Sequence, residues 1–152
     1  MRPILLATDG SPSAEEATRE ALDLASGLGA PLVATAVEHV SAPAYGYYGY
    51  AEVYSELRKG ESEHARQVLD EVAARAAALG VECETVALDG IVVDEICKLA
   101  KERDAQLVVV GAHGWGSLRR FVFGSVSTGL LHEAPCPVLV ARAGAQVREA
   151  AV

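Results

Sequence analysis

Short apolar runs alternate with helical patterns five times along this chain, and no other feature constrains the fold as strongly. Such runs are typical of strands in a sheet that is covered by other elements. Strands separated by helices pair in parallel, because each helix carries the chain back across a face of the sheet. The pattern therefore predicts an α/β domain with a five-stranded open parallel sheet and helices on both faces. The predicted strands are Ile4 to Ala7, Leu32 to Val37, Val81 to Leu88, Leu107 to Val110 and Val138 to Ala141.

The helices between these strands carry their own start and stop signals. Ser11 is placed to cap the first helix, Ser13 and Glu16 form an overlapping capping box, and the helix is predicted to end near Gly27 and Gly29. A second helical pattern covers residues 51–79. Within it Gly60 is a candidate kink or break, and His64, close to the apolar side, is interpreted as a packing residue rather than a metal ligand.

Composition narrows the class of protein. The 152 residues suit one domain, expected over residues 1–143, whereas residues 144–152 show no convincing pattern, which is compatible with disorder. A formal net charge of −8 argues against DNA or RNA as a partner, because nucleic-acid binding needs a basic surface. Cys83, Cys97 and Cys136 form no C-x-x-C pair, which favours core thiols in a reducing compartment. Without a signal-peptide pattern or a membrane-spanning run, a cytoplasmic location is expected, away from membranes.

Three glycines follow the fourth predicted strand within six residues, at Gly111, Gly114 and Gly116. Glycine lets main-chain N–H groups approach a ligand closely, and a helix start attracts anions through its unpaired N–H groups. On the loop alone, phosphate binding and ordinary turn chemistry are about equally favoured. Ser125, directly after Gly124 at the expected helix start, favours a phosphate cradle because a capping hydroxyl is expected there.

The spacing of this segment resembles the nucleotide-binding signature of the universal stress protein family, in its ATP-binding branch. Gly111 is followed after two residues by Gly114, and after nine more by Gly124 and Ser125. The resemblance extends from Pro3 to Arg142. It includes the opening strand with Thr8-Asp9-Gly10-Ser11 and the ending Ala134-Pro135-Cys136-Pro137-Val138-Leu139-Val140. It implies a Rossmann-like sheet with the strand order 3-2-1-4-5.

That strand order implies a crevice between the first and fourth strands, where Asp9 and Gly111 meet, since ligands bind at the point where strand order reverses. The resemblance further implies a role for each site residue. Asp9 would accept hydrogen bonds from a nucleoside, Val37 and Val110 would pack near the base, and the glycine segment would surround ribose and phosphates. Alternatives remain: Asp9 as a turn residue, and the two valines as core packing. The implied set is Ala7, Thr8, Asp9, Val37, Val110, Gly111, Gly114, Gly124, Ser125, Val126 and Ser127.

The expected ligand is ATP, with AMP or ADP as alternatives and Mg²⁺ as an optional bridge between phosphates. Arg119 and Arg120 are candidates for phosphate pairing, although exposure to solvent is the favoured interpretation. The sequence has no Walker lysine, no G-x-S-x-G and no H-E-x-x-H, which favours a stress-response binding module over an efficient enzyme. Slow ATP hydrolysis, and an interaction protein that does not use its loop, are the alternatives.

The resemblance also implies a homodimer through the last strand, at Val138, Leu139 and Val140. This strand is short, apolar and expected at an exposed edge of the sheet, which proteins usually pair or cover. The tyrosine-rich segment 41–50 is interpreted as a surface loop, with a ligand lid or a partner surface as the alternative.

Overall fold

A computed structural model describes residues 1–38, 50–113 and 123–142, with the backbone alone at residues 50–54 and 58. In the described residues, five strands alternate with four helices. The strands are β1 (Ile4–Ala7), β2 (Leu32–Glu38), β3 (Cys83–Asp89), β4 (Leu107–Gly111) and β5 (Val138–Ala141). The helices are α1 (Pro12–Leu28), α2 (Tyr50–Ala78), α3 (Val92–Glu102) and α4 (Ser125–Glu133).

The strands form one sheet in the order β3-β2-β1-β4-β5, and every pair is parallel. This confirms the predicted Rossmann-like sheet and its order 3-2-1-4-5. β1 lies at the centre, where Ile4, Leu5 and Leu6 are fully buried. The strand order reverses between β1 and β4, so the carboxyl ends of these two strands border a crevice.

Alternate residues of the central strand pack on opposite faces. Ile4 and Leu6 contact the cluster formed with α1 and α2, whereas Leu5 and Ala7 contact the cluster formed with α3 and α4. The expectation of helices on both faces is therefore confirmed. Because both faces of the central strand are covered, its apolar run needs no polar alternation, whereas the edge strand β3 keeps exposed residues.

At the start of α1 the predicted N-cap is confirmed, whereas the predicted capping box is not. Ser11 is the N-cap and its hydroxyl accepts the N–H of Ala14 at 3.3 Å, as predicted. The capping box from Ser13 and Glu16 is wrong, because the Ser13 hydroxyl accepts the N–H of His113 at 3.2 Å instead. Ser13 thus joins α1 to the segment after β4. The helix ends, as predicted, at Gly29, whose φ of 64° is left-handed.

Helix α2 runs without a break through Gly60, so the prediction of a break there is wrong. Its core side is formed by Ala65, Leu69, Val72 and Ala76, all buried. A glycine inside a helix is tolerated when the packing of such an apolar face outweighs its entropic cost of about 1 kcal/mol. Among the helices of the described residues, none has the length and apolar character needed to cross a bilayer.

Candidate functional site

A crevice opens at the carboxyl ends of β1 and β4, with a volume of about 910 Å³. The elements that border it are β1, β2, β4 and the starts or sides of all four helices. Ten of the eleven predicted site residues line it, and the eleventh, Gly114, lies outside the described residues. The ten are Ala7, Thr8, Asp9, Val37, Val110, Gly111, Gly124, Ser125, Val126 and Ser127.

The turn between β1 and α1 forms one wall and is held by its own side chains. The Asp9 carboxylate accepts the N–H of Ser11 through Oδ1 at 2.9 Å, and the Thr8 hydroxyl accepts the N–H of Gly10 at 3.3 Å. Gly10 has a φ of +74°, which a residue with a Cβ adopts only with strain. Asp9 therefore serves the turn, as its alternative interpretation proposed, and at the same time lies on the crevice.

The end of β4 packs so closely on α1 that position 111 has no room for a side chain. A Cβ at Gly111 would lie 2.8 Å from the main-chain carbon and oxygen of Ser13. Beyond Gly111, the N–H of His113 is bonded to Ser13, as described above, and the Ser11 hydroxyl lies 3.5 Å from the His113 carbonyl. The glycine at this position is thus explained by packing of β4 against α1, whatever the ligand.

Hydrogen bonds join the chain just after β4 to the start of α4. The N–H of Gly124 donates to the carbonyl of Ala112 at 2.7 Å. The buried hydroxyl of Ser127 lies 3.1 Å from the Ala112 carbonyl and 3.0 Å from the Gly124 carbonyl, and donates to one of them. The Ser127 hydroxyl thus helps to hold the start of α4 against the chain that follows β4. Residues 114–122, which include Arg119 and Arg120, lie outside the described residues.

The N-terminus of α4 points main-chain donors at the crevice. Its N-cap is Gly124, without a side-chain cap, so the prediction of Ser125 as the capping hydroxyl is wrong. Within the helix the ladder of hydrogen bonds begins with Thr128 N–H to Gly124 O at 3.0 Å. The amides of Ser125, Val126 and Ser127 come before it and lie in the part of the helix that carries positive partial charge. This geometry suits an anion.

The floor of the crevice is apolar. Val110 is 6% exposed, and Val37, Val92 and Val126 are partly buried around the same cluster as Ile96. Val37 and Val110 therefore take part in the core and also border the crevice. Both interpretations of these two valines hold together.

Helix α2 supplies a wall that the sequence did not predict. Its lining residues, spaced by one helical turn or less, are Leu57, Gly60, Glu61, His64, Ala65 and Val68. The sequence contains a signal for this wall, because the lining positions recur at helical spacing and include a glycine and a histidine beside the apolar side of the helix. Periodicity does not distinguish a side that packs on the sheet from one that borders a cavity.

Among the described residues, the titratable side chains at the crevice are mostly acidic. Asp9, Glu38 and Glu61 line it together with His64 and His113. Among the residues that the structure describes, no group of three or more His, Cys, Asp or Glu side chains is arranged to hold a metal ion.

The cysteines are free thiols at partly buried positions outside the crevice. Burial raises the pKa of Cys83, Cys97 and Cys136 above the ordinary value, and for Cys97 the nearby Glu133 and Asp94 add to the effect. A raised pKa lowers the thiolate fraction, so these thiols are structural in character rather than nucleophilic.

Comparison with known proteins identifies a family for this chain. The model of the universal stress protein family matches residues 1–142. A universal stress protein of Methanocaldococcus jannaschii is 35% identical over 145 residues, which cover 93% of this chain and 82% of that protein. The solved universal stress protein UspA from Lactobacillus plantarum is 32% identical, with a TM-score of 0.83 over 92% of this chain and 97% of its own. Another solved universal stress protein, in complex with cAMP, is 26% identical, with a TM-score of 0.68 over 92% of this chain and 96% of its own.

Proposed function

The chain belongs to the universal stress protein family. From that premise we propose that its crevice binds an adenine nucleotide, with ATP as the expected ligand and ADP or AMP as the alternatives. The protein would act as a nucleotide-responsive regulatory module of a stress response. The observation that carries the proposal is the meeting of Asp9 with the N-terminus of α4 across one crevice. A solved relative in complex with cAMP supports the same class of ligand.

Charge gives the nucleotide an orientation. The carboxylates of Asp9, Glu38 and Glu61 repel phosphates, whereas the amides at the start of α4 attract them. The nucleoside is therefore expected near Asp9 and the apolar floor, with its phosphates at Ser125 and Val126. The proposed binding set is the one that the sequence implied, including Gly114.

The binding free energies that are available agree with a ligand whose phosphates bind at α4 and whose nucleoside packs on the apolar floor. Micromolar affinity needs about 8 kcal/mol net, and a partly buried helix terminus supplies up to about 2 kcal/mol. Hydrogen bonds to a charged group add on the order of 1.5–3 kcal/mol each. Phosphate contacts alone leave little after association costs, so burial of the nucleoside against Val37, Val110 and Val126 is expected to contribute the remainder.

A divalent cation would come with the phosphates. Mg²⁺ keeps several waters and is commonly held by one or two carboxylates together with substrate phosphates. Because the described residues offer no cluster of metal-ligating side chains, we expect Mg²⁺ to bridge the phosphates rather than to occupy a site of its own.

We also propose a homodimer through the free edge of β5, with Val138, Leu139 and Val140 at the interface. Among the strands of the described residues, β5 pairs with β4 on one side and ends the sheet on the other. A cytoplasmic location fits the free cysteines, because thiols persist in reducing compartments.

The proposal is tested by releasing small molecules from the purified protein and identifying them by mass spectrometry. We expect an adenine nucleotide at a substantial fraction of one per chain, and much less from Asp9→Ala purified in the same way. Protein that carries no nucleotide and does not take up added ATP would reject the function. A turnover assay on the same samples separates binding from slow hydrolysis. A protein that only binds ATP does not go on to release more than one phosphate per chain, whereas a slow ATPase does.

A further inference from the structure

We propose that His64 is the positioning residue for Asp9, so that helix α2 controls how well the nucleoside half of the crevice is formed. This inference rests on the proposed function, because it assigns a role within the adenine nucleotide site. Its basis is one contact: Nε2 of His64 lies 3.1 Å from the main-chain oxygen of Asp9, and both residues line the crevice.

The chemistry of this contact fixes the hydrogen. A carbonyl oxygen only accepts, so Nε2 of His64 carries the N–H, either in the Nε2–H tautomer or in the imidazolium form. The tautomer is thus inferred from its partner. The bond joins residues that are 55 positions apart, and it ties the turn after β1 to a helix that begins far away in the sequence.

Packing around Gly10 shows that α2 lies directly against this turn. A Cβ at Gly10 would be 2.8 Å from Cγ2 of Val68 and 3.5 Å from Nε2 of His64. Gly10 has a left-handed φ of +74°, and the Asp9 carbonyl that precedes it faces Nε2 of His64 on α2. The turn is therefore shaped to receive this side chain.

Asp9 is held from two directions. Its carboxylate Oδ1 accepts the N–H of Ser11 at 2.9 Å, on the α1 side, and its main-chain oxygen is bonded to His64 on the α2 side. Without the second bond, the peptide plane between Asp9 and Gly10 is held less firmly, since the bond from the Gly10 N–H to the Thr8 hydroxyl is long at 3.3 Å, and the turn that positions the Asp9 carboxylate is less well fixed. The strength of a hydrogen bond depends steeply on its angle. Losing the bond from His64 is therefore expected to weaken the hydrogen bonds between Asp9 and the ligand.

Three variants separate this role from a general effect on α2. His64→Leu removes the donor while keeping a side chain of similar bulk, and His64→Gln keeps an N–H donor near the same place. Gln67→Leu is the matched control, because Gln67 is exposed on the same helix and does not line the crevice.

The first measurement is made without ligand. The ¹⁵N shift of the Gly10 amide reports on the Asp9 carbonyl that precedes it. We expect this shift to move in His64→Leu, to return toward the wild-type value in His64→Gln, and to stay in place in Gln67→Leu. An unchanged shift in His64→Leu would overturn the proposal even if no nucleotide bound to any variant.

The second measurement is the affinity for adenosine and for ADP by calorimetry or competition. In His64→Leu both affinities should fall by the same factor, about threefold to tenfold, since a net hydrogen bond of ordinary strength is lost. His64→Gln should recover most of this loss. A loss for ADP alone, no loss, or an equal loss in Gln67→Leu would each overturn the role of His64. Failure of the wild-type protein to bind either ligand would instead reject the proposed function.

Discussion

At the scale of single residues, the need for glycine at position 111 comes from packing rather than from ligand approach. Its Cβ would fall 2.8 Å from two main-chain atoms of Ser13, and neither the strand nor the helix can move without disturbing the core. We therefore predict that Gly111→Ala lowers the free energy of unfolding by about 1–3 kcal/mol, measured by urea titration.

Gly124 gives the matched control for this prediction. A Cβ there would lie 3.4 Å from the Ala112 carbonyl, which is ordinary contact, and a serine at this N-cap would supply a capping hydroxyl. Gly124→Ser should leave the free energy of unfolding within about 0.5 kcal/mol of wild type, or raise it. If both variants unfold at the same urea concentration, the packing argument for Gly111 is wrong.

Residue by residue, the sequence predicted which positions border the crevice better than which atoms each side chain contacts. Asp9, Gly111 and Ser127 line the crevice, as implied. Yet the hydroxyls of Ser13 and Ser127 bond to main-chain groups of the segment after β4, and Ser125 does not cap α4. These partners are far apart in sequence or depend on local backbone angles, so spacing alone does not reveal them.

At the scale of elements, α1 offers a direct test of the helix boundary. Gly27 lies inside the helix and a Cβ there would meet no described atom within 4 Å, whereas Gly29 ends the helix with a φ of +64°. Gly27→Ala should raise the free energy of unfolding by about 0.5–1 kcal/mol, through reduced entropy of the unfolded chain. Thermal or urea unfolding measures this.

The neighbouring glycine should respond with the opposite sign. Gly29→Ala forces a side chain into the left-handed region, at a cost of about 1–2 kcal/mol, although this position is exposed and uncrowded. Stabilisation by both substitutions, or by neither, would show that the helix end is placed incorrectly.

The elements themselves were predictable because each carries a local signal. β3 begins at Cys83 rather than Val81, since the N–H of Val81 closes the end of α2 by bonding to the Ala76 carbonyl at 2.9 Å. The sequence did not predict that α2 continues through Gly60, or that one side of this helix lines the crevice. Both depend on what packs beside the helix, which a one-dimensional pattern does not contain.

At the scale of the whole molecule, the proposed homodimer depends on the outer edge of β5, which no other strand of the described residues covers. The carbonyls of Pro137 and Ala141 accept N–H groups of Val108 and Ala112 on the β4 side. In a parallel ladder the alternate residues, Val138 and Val140, therefore point their N–H and C=O groups away from β4. An extended partner strand would bond to these groups.

Proline at position 140 tests this pairing selectively. Val140→Pro removes an outward N–H and leaves the ladder with β4 intact, which is the arrangement that an edge strand tolerates. We predict that sedimentation shows a dimer for the wild-type protein and a monomer for Val140→Pro, with adenine nucleotide binding retained. A wild-type monomer, or a variant that remains dimeric, would remove β5 as the interface.

The central claim is that the crevice between β1 and β4 binds adenine nucleotides, and thermal unfolding with added ATP and Mg²⁺ tests it most directly. A ligand at about one hundred times its Kd stabilises the folded state by about 2.7 kcal/mol, which for a domain of this size raises the Tm by roughly 5–10 °C. We predict a rise of this size for ATP and a clearly smaller one in Asp9→Ala. A Tm that millimolar ATP leaves unchanged would contradict the account.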